Sequence, residues 1–269
     1  MPHERSRLRW GRLFPDSYFR DSLKLPFVQP RLMPTSYVLL DHLLFLVLAV
    51  VSPAADYFWL YPRLIRQTRA GVPGARRRAY TTSILMQWML TLCVSVLWVQ
   101  RRRPWSALWL GETSASRLAA GLALAAAFIG VLLLQRRTVL AHPEHLDKVR
   151  HQLAAASALL PHTPEEHTWF MLLSITAGIC EEFLFRGFVL WYVRVSTGLL
   201  LAAAFSTILF GTAHLYLSRR DALRAGIVGA IMAAIVIATR CLLPAMVLHA
   251  AVDINSGDLA FHALRGVEP

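Results

Sequence analysis

The sequence predicts an all-α protein: a polytopic transmembrane helical bundle of about seven spans, with eight as the alternative. Three observations predict it. The 269 residues are 56% hydrophobic and only 16% charged, whereas a soluble domain carries about 25% charge. Residues 81–100, 118–135, 195–218 and 225–239 contain no Asp, Glu, Lys or Arg. These runs are continuous rather than alternating and approach the roughly 20 residues a helical span needs, which disfavours a membrane β-barrel. A soluble all-α enzyme would need unusually apolar core helices throughout.

The elements follow in order. Residues 1–34 mix Arg5, Arg7, Arg9 and Arg12 with Leu8, Trp10, Leu13 and Phe14, an interfacial or flexible pattern. Pro15, Pro26, Pro30 and Pro34 break any long helix there. Residues 35–164 form an N-terminal transmembrane region with a polar linker. Its first span is expected over 36–61, ending in the aromatic YFWLYP, which suits the headgroup level. Asp41, His42 and Asp56 lie near its ends and are expected to reach the interface. An Arg-rich loop at 62–79 precedes spans at about 80–100 and 117–135, joined by an interfacial RRRPW…GETS connection. Residues 144–160 read as a short helix lying on the membrane. Residues 165–257 form the core that carries the chemistry, with spans at about 166–194, 196–218, 223–239 and 242–256. The first of these is one tilted span or two shorter pieces. The last two are separated by a tight turn at Arg240, Cys241 and Pro244. Residues 258–269 are read as a tail.

The net charge of +12 comes mostly from Arg in the connections, including Arg63, Arg66, Arg69, Arg76–Arg78, Arg101–Arg103, Arg136–Arg137 and Arg219–Arg220. Such clusters beside spans contact anionic lipid headgroups, so membrane lipids are the expected partners. No basic helix stands free of the membrane, and no nucleic-acid partner is expected. With seven Lys/Arg in 1–34 and six in 62–79, the charge rule assigns no orientation. Cys93, Cys180 and Cys241 fall inside apolar runs without a CxxC pair and read as buried small side chains. No His lies at a helical spacing from Cys180, which argues against a thiol nucleophile.

Ionisable side chains within spans are expensive and mark functional sites by default. Here they recur in three segments: Glu181, Glu182 and Arg186 after TWFMLLSITAGIC; His214 in FSTILFGTAHLYL; and His249 with Asp253 in LLPAMVLHAAVDI. Glu182 and Arg186 are four apart, share a helix face and are expected to pair structurally. Glu181 is rotated about 100° away, free to face a cavity, and is the better catalytic candidate. His249 and Asp253 repeat the four-residue spacing, so Asp253 either fixes the imidazole tautomer or faces the same pocket. Two mechanisms fit this inventory. In one, Glu181 and His214 hold a water whose hydroxide attacks a peptide carbonyl, while His249 donates toward the oxyanion. In the other, Glu181, His214 and His249 bind zinc, which activates the water. No HExxH is present, and neither Ser206 nor Ser218 is poised beside a base.

At these residues the chain resembles the membrane-embedded CAAX-processing endopeptidase and bacteriocin-processing family (CPBP or ABI). That family's pattern is Glu-Glu-x-x-x-Arg, then Phe-x-x-x-His, then His-x-x-x-Asn or Asp. The matching elements are EEFLFR at 181–186, FGTAH at 210–214 and HAAVD at 249–253. The resemblance covers about residues 165–257 and rests on the ordered set rather than on any one element. It implies a glutamate-dependent intramembrane protease in which Glu181 and His214 activate water. His249 and Asp253 would then hold or polarise the scissile carbonyl, and Arg186 would pair with Glu182. It implies a membrane-anchored protein or peptide substrate and no required cofactor, with zinc as the alternative. Where family members carry Asn, this chain has Asp253, which cannot donate to an oxyanion unless protonated, so its better role is to orient or charge His249. The Arg- and Ala-rich composition suggests a multi-pass protein of a bacterial inner membrane. The rival readings are a non-catalytic membrane scaffold or immunity protein of the same fold, and an ion transporter. Too few polar positions in the first three spans disfavour the transporter.

Overall fold

The computed structural model describes residues 37–111, 113–153 and 156–264. The expected interfacial segment 1–34 lies outside these. Among the described residues there is no strand, and eight helices carry the chain. They are α1 Leu39–Arg69, α2 Ala75–Gln100, α3 Ala115–Ala141, α4 Pro143–Gln152, α5 Pro164–Thr197, α6 Leu199–Thr212, α7 Arg219–Thr239 and α8 Leu243–Leu264. A helix stands at each of the seven expected spans, and α4 occupies the first half of the expected surface helix. Helices α1, α2, α3, α5 and α7 are long and apolar enough to cross a membrane, making this a multi-pass membrane protein.

The two remaining helices differ from expectation. Helix α6 has 14 residues and reaches only about 21 Å at 1.5 Å per residue. His214, expected within that span, instead sits in the turn beyond its end. Helix α8 has 22 continuous residues, but His249, Asp253, Asn255 and Asp258 break its apolar character. It continues through residues 258–264, which the sequence assigned to a tail.

Local chemistry sets the helix ends. Thr163 caps α5 by accepting from the Glu166 amide, while the Glu166 carboxylate accepts from the Thr163 amide, a reciprocal box completed by Pro164 at the first helical position. Ser218 caps α7 through the Asp221 amide. Gly198, at φ +84°, makes the corner between α5 and α6. Arg240 takes the left-handed conformation, φ 55°, in the expected tight turn between α7 and α8. That turn is secured where the Leu242 amide donates to the Trp109 carbonyl and the Thr113 hydroxyl donates to the Thr239 carbonyl.

Helix α5 is the hub. It packs extensively against α8 and α2, while α6 packs on α7 and α3 on α8. Small residues let the backbones meet, as membrane helix pairs require. A Cβ on Gly178 of α5 would lie 2.7 Å from the Ala250 amide nitrogen and 2.8 Å from the Met246 carbonyl of α8. A Cβ on Gly211 of α6 would lie 3.0 Å from the Ala222 carbonyl of α7. On α2, Gln87, Thr91, Val94 and Trp98 recur at helical spacing toward α5. Cys180 is buried, whereas Cys93 is exposed because it lies on the outward face of α2 rather than in the protein core.

Asp41 and Arg103, expected at the headgroups, are instead sealed inside the protein. Arg103 donates through both terminal nitrogens to the two Asp41 oxygens at 2.7 Å. Its guanidinium packs against both the Trp98 and Trp191 rings, 5.1 and 4.7 Å from their centroids. The pair ties the start of α1, the loop after α2 and the end of α5. Nearby, the Tyr37 hydroxyl donates to the Tyr192 carbonyl at 2.6 Å, and Phe45 stacks on Tyr192. A second tie joins α3, α5 and α8, where Arg136 and His167 share the Asp258 carboxylate at 2.7 and 2.6 Å.

Removing one partner of a buried ion pair strands the other charge. Asp41→Ala and Arg103→Ala are each expected to cost about 3–5 kcal/mol, with the joint change to Leu and Met costing less than either, as read by thermal unfolding in detergent. Gly178→Ala is expected to lower the unfolding midpoint. Gly130→Ala, with nothing within 4 Å of the new Cβ, should leave it unchanged or raise stability by about 1 kcal/mol.

Candidate active site

Three elements bring the predicted residues together: the middle of α5, the turn after α6, and the middle of α8. Within α5, the backbone widens to π-helical hydrogen bonding over Glu182–Val189, all eight residues of which are buried. Such widened turns are frequent at functional sites and leave carbonyls in need of partners. Ser206 of α6 supplies one, its hydroxyl donating to the Phe185 carbonyl at 2.8 Å.

The two adjacent glutamates are used differently. Glu182 is fully buried, and its Oε1 accepts from Arg186 Nη1 at 2.8 Å and from His249 Nδ1 at 2.9 Å. Arg186 is also fully buried, and its guanidinium lies 4.2 Å from the centroid of the Phe210 ring. Room for it comes from α7, since a Cβ on Gly229 would meet Arg186 Nη2 at 2.7 Å and Phe210 Cδ1 at 3.0 Å. Glu181 keeps 20% of its side chain exposed and places Oε2 3.9 Å from His249 Nε2. Glu182 is thus paired and enclosed, whereas Glu181 stays partly exposed.

The His249 tautomer follows from its neighbours. Glu182 accepts at Nδ1, so Nδ1 carries a proton and Nε2 turns to Glu181 and Asp253. Asp253 Oδ2 is 3.6 Å from Nε2. Asp253 therefore approaches His249 at Nε2, the same nitrogen that Glu181 approaches. Fixing the Nδ1 proton falls to Glu182, because that carboxylate already faces α8 from the buried side of α5. Both separations at Nε2 exceed direct hydrogen bonding but suit a bridging water or a carbonyl oxygen.

His214 joins the group from the other side. Its Nδ1 donates to the Phe210 carbonyl at 2.9 Å, which leaves Nε2 of the neutral ring as a free acceptor. Phe210 touches both imidazoles, with centroids 4.9 Å from His214 and 5.7 Å from His249. Glu181, Glu182, Arg186, His214, His249 and Asp253 therefore form one cluster. Among the described residues no three His, Cys, Asp or Glu side chains are arranged to hold a metal ion. His249 Nδ1 is already committed to Glu182, so only its Nε2 remains for any such role.

Three residues of the site were not read from the sequence. Gln87 of α2 donates through Nε2 to Glu181 Oε1 at 3.1 Å. Asp56 of α1, expected at the interface, lies close enough to Glu181 for their charges to interact, and Tyr216 lies within such reach of Asp56, Glu181 and Asp253. The available signal for Gln87 was its place as an amide in the middle of the charge-free stretch 81–100. For Asp56 and Tyr216, periodicity carried no such signal.

Among curated proteins and among solved structures no match was found. Residues 163–255 match the family model described as type II CAAX prenyl endopeptidase Rce1-like. The matched segment runs from the α5 cap to the middle of α8 and so contains all six clustered residues, though it spans only about a third of the chain. The ordered elements that suggested the resemblance lie inside it, so residues 163–255 are similar to a CAAX-protease domain.

Proposed function

We propose that the protein is an intramembrane endopeptidase of glutamate type, acting on a membrane-anchored protein or peptide. The observation that carries this reading is Glu181 Oε2 facing His249 Nε2 at 3.9 Å, with His249 held from behind by Glu182. Glu181 and His214 hold a water; Glu181 takes its proton, and the hydroxide forms a bond to the scissile carbonyl carbon. Negative charge moves onto the carbonyl oxygen. His249, carrying protons on both nitrogens, donates Nε2–H to that oxygen while Glu182 balances its Nδ1 side. Asp253 keeps His249 charged. The C–N bond then breaks, and the proton on Glu181 passes to the leaving amine. Arg186 binds Glu182 and holds α5 in register. A bacterial inner membrane is the proposed location.

The geometry fits this chemistry because each group has a separate task. Glu182 cannot serve as the base while its Oε1 accepts from both Arg186 and His249. Glu181, bound by one amide and partly open, can. The family description names prenylated CAAX substrates; for this chain the substrate class proposed is membrane-anchored peptides generally.

Glu181→Gln is expected to abolish a set of cleavage products while leaving the fold intact. Comparing membrane peptides from cells carrying either form checks this. Identical products would favour the non-catalytic scaffold instead. Exhaustive chelation of the purified protein is expected to leave cleavage unchanged, as followed on a peptide identified by that comparison. Loss on chelation with recovery on added zinc would establish the metal-dependent mechanism through Glu181, His214 and His249.

A further inference from the structure

Helix α2 lies outside the matched segment 163–255, yet it sends one polar side chain into the cluster. Gln87 stands near the middle of α2, as Glu181 does in α5. Its Nε2 donates to Glu181 Oε1 at 3.1 Å. Its own Oε1 is buried and has no hydrogen-bond partner among the described residues. As a packing residue Gln87 is a poor choice, because Met or Leu would fill the same space without leaving a buried acceptor unpaired. As a partner for Glu181 it has a clear purpose. A carboxylate on a three-torsion side chain has several orientations, and a donor fixed on a neighbouring helix selects one.

Resting on the reading of Glu181 as the base, we propose that Gln87 is a positioning residue: it holds Glu181 Oε1 so that Oε2 addresses His249 and the reacting water. The contact is charge-assisted when Glu181 is ionised, and so is stronger than an ordinary amide bond. It is made from α2, whose next turns, through Thr91, Val94 and Trp98, are packed on α5, so the donor is carried by a rigid element. Misplacing a reacting group by about 1 Å costs on the order of 100-fold in rate. The loss therefore falls on the chemical step rather than on binding. The N-terminal region is thus more than a lipid-facing wall, since it completes the site that α5, α6 and α8 build.

Infrared difference spectroscopy on the purified full-length protein tests this. Subtracting the Glu181→Gln spectrum from wild type isolates the Glu181 carboxyl bands. In Gln87→Met, which keeps the side-chain length and removes the donor, those bands are expected to shift, and the Glu181-dependent cleavage products are expected to form about 100-fold more slowly. Thr91→Val, one turn away on the same face, is expected to leave both readouts unchanged, which separates positioning from a packing defect. Unshifted bands with undiminished cleavage in Gln87→Met overturn this inference alone. If Glu181→Gln itself retains every product, the proposed function fails and Gln87 has no base to position.

Discussion

The site depends on one constraint: the Glu182 carboxylate is fully buried in a membrane-embedded helix and needs compensation. An isolated carboxylate in such surroundings is prohibitive. Arg186 and His249 both donate to a single Glu182 oxygen, so each is held by the need to neutralise it. That need fixes the Arg186 guanidinium over Phe210, and Phe210 in turn touches His214. It also draws α8 against α5, since His249 must reach across. The close approach that Gly178 permits toward Ala250 and Met246 and the polar bond from His249 are two aspects of one helix crossing. Buried ion pairs contribute little net stability. What this one supplies is a defined position for His249 Nε2.

A similar logic operates at the end of the bundle, with a different outcome. Asp41 and Arg103 satisfy each other through two parallel hydrogen bonds beside two aromatic rings, a closed arrangement in which both side chains are buried. Glu181 is the opposite case. It receives one amide hydrogen bond and keeps part of its surface free. Both pairs of elements hide charge from lipid, but only the second leaves a carboxylate oxygen and an imidazole nitrogen facing each other across a gap. The contrast separates a closed ion pair from an open one without appeal to residue type.

Much of this was legible in the sequence because the physics is local. Charge-free runs set the helices. The four-residue spacing of Glu182 and Arg186 sets their pairing. What was not legible is relational. Nothing local says that Asp41 would find Arg103 rather than headgroups, because the two are far apart in sequence and meet only when α1 and α2 run antiparallel. The assignment of the His249 Nδ1 partner to Glu182 rather than Asp253 depends on which side of α8 faces α5, which spacing along α8 leaves open. The short α6 is a further case. Its sequence is apolar through Leu217, yet the helix stops at Thr212, where Gly211 brings α6 against the α7 backbone and the following turns carry His214 back toward the cluster.

That early stop has a chemical consequence. A histidine inside a regular helix projects sideways, while a histidine in the turn beyond a helix end can fold back over it. His214 does the latter, and its Nδ1 takes up the Phe210 carbonyl that the ended helix leaves without a continuing partner. One hydrogen bond therefore serves both roles. It satisfies an orphan carbonyl in an apolar setting, and it fixes the proton on Nδ1 so that Nε2 is presented as an acceptor. The Nδ1 proton of His249 is fixed by a different route, through the Glu182 carboxylate rather than a carbonyl. The two imidazoles, both in contact with Phe210, are thereby given unequal hydrogen-bond partners: a buried carboxylate for His249 and a backbone carbonyl for His214. The proposed reaction, which holds a water and stabilises an oxyanion with different groups, would use that inequality, and it arises from where a helix ends and where a buried glutamate lies.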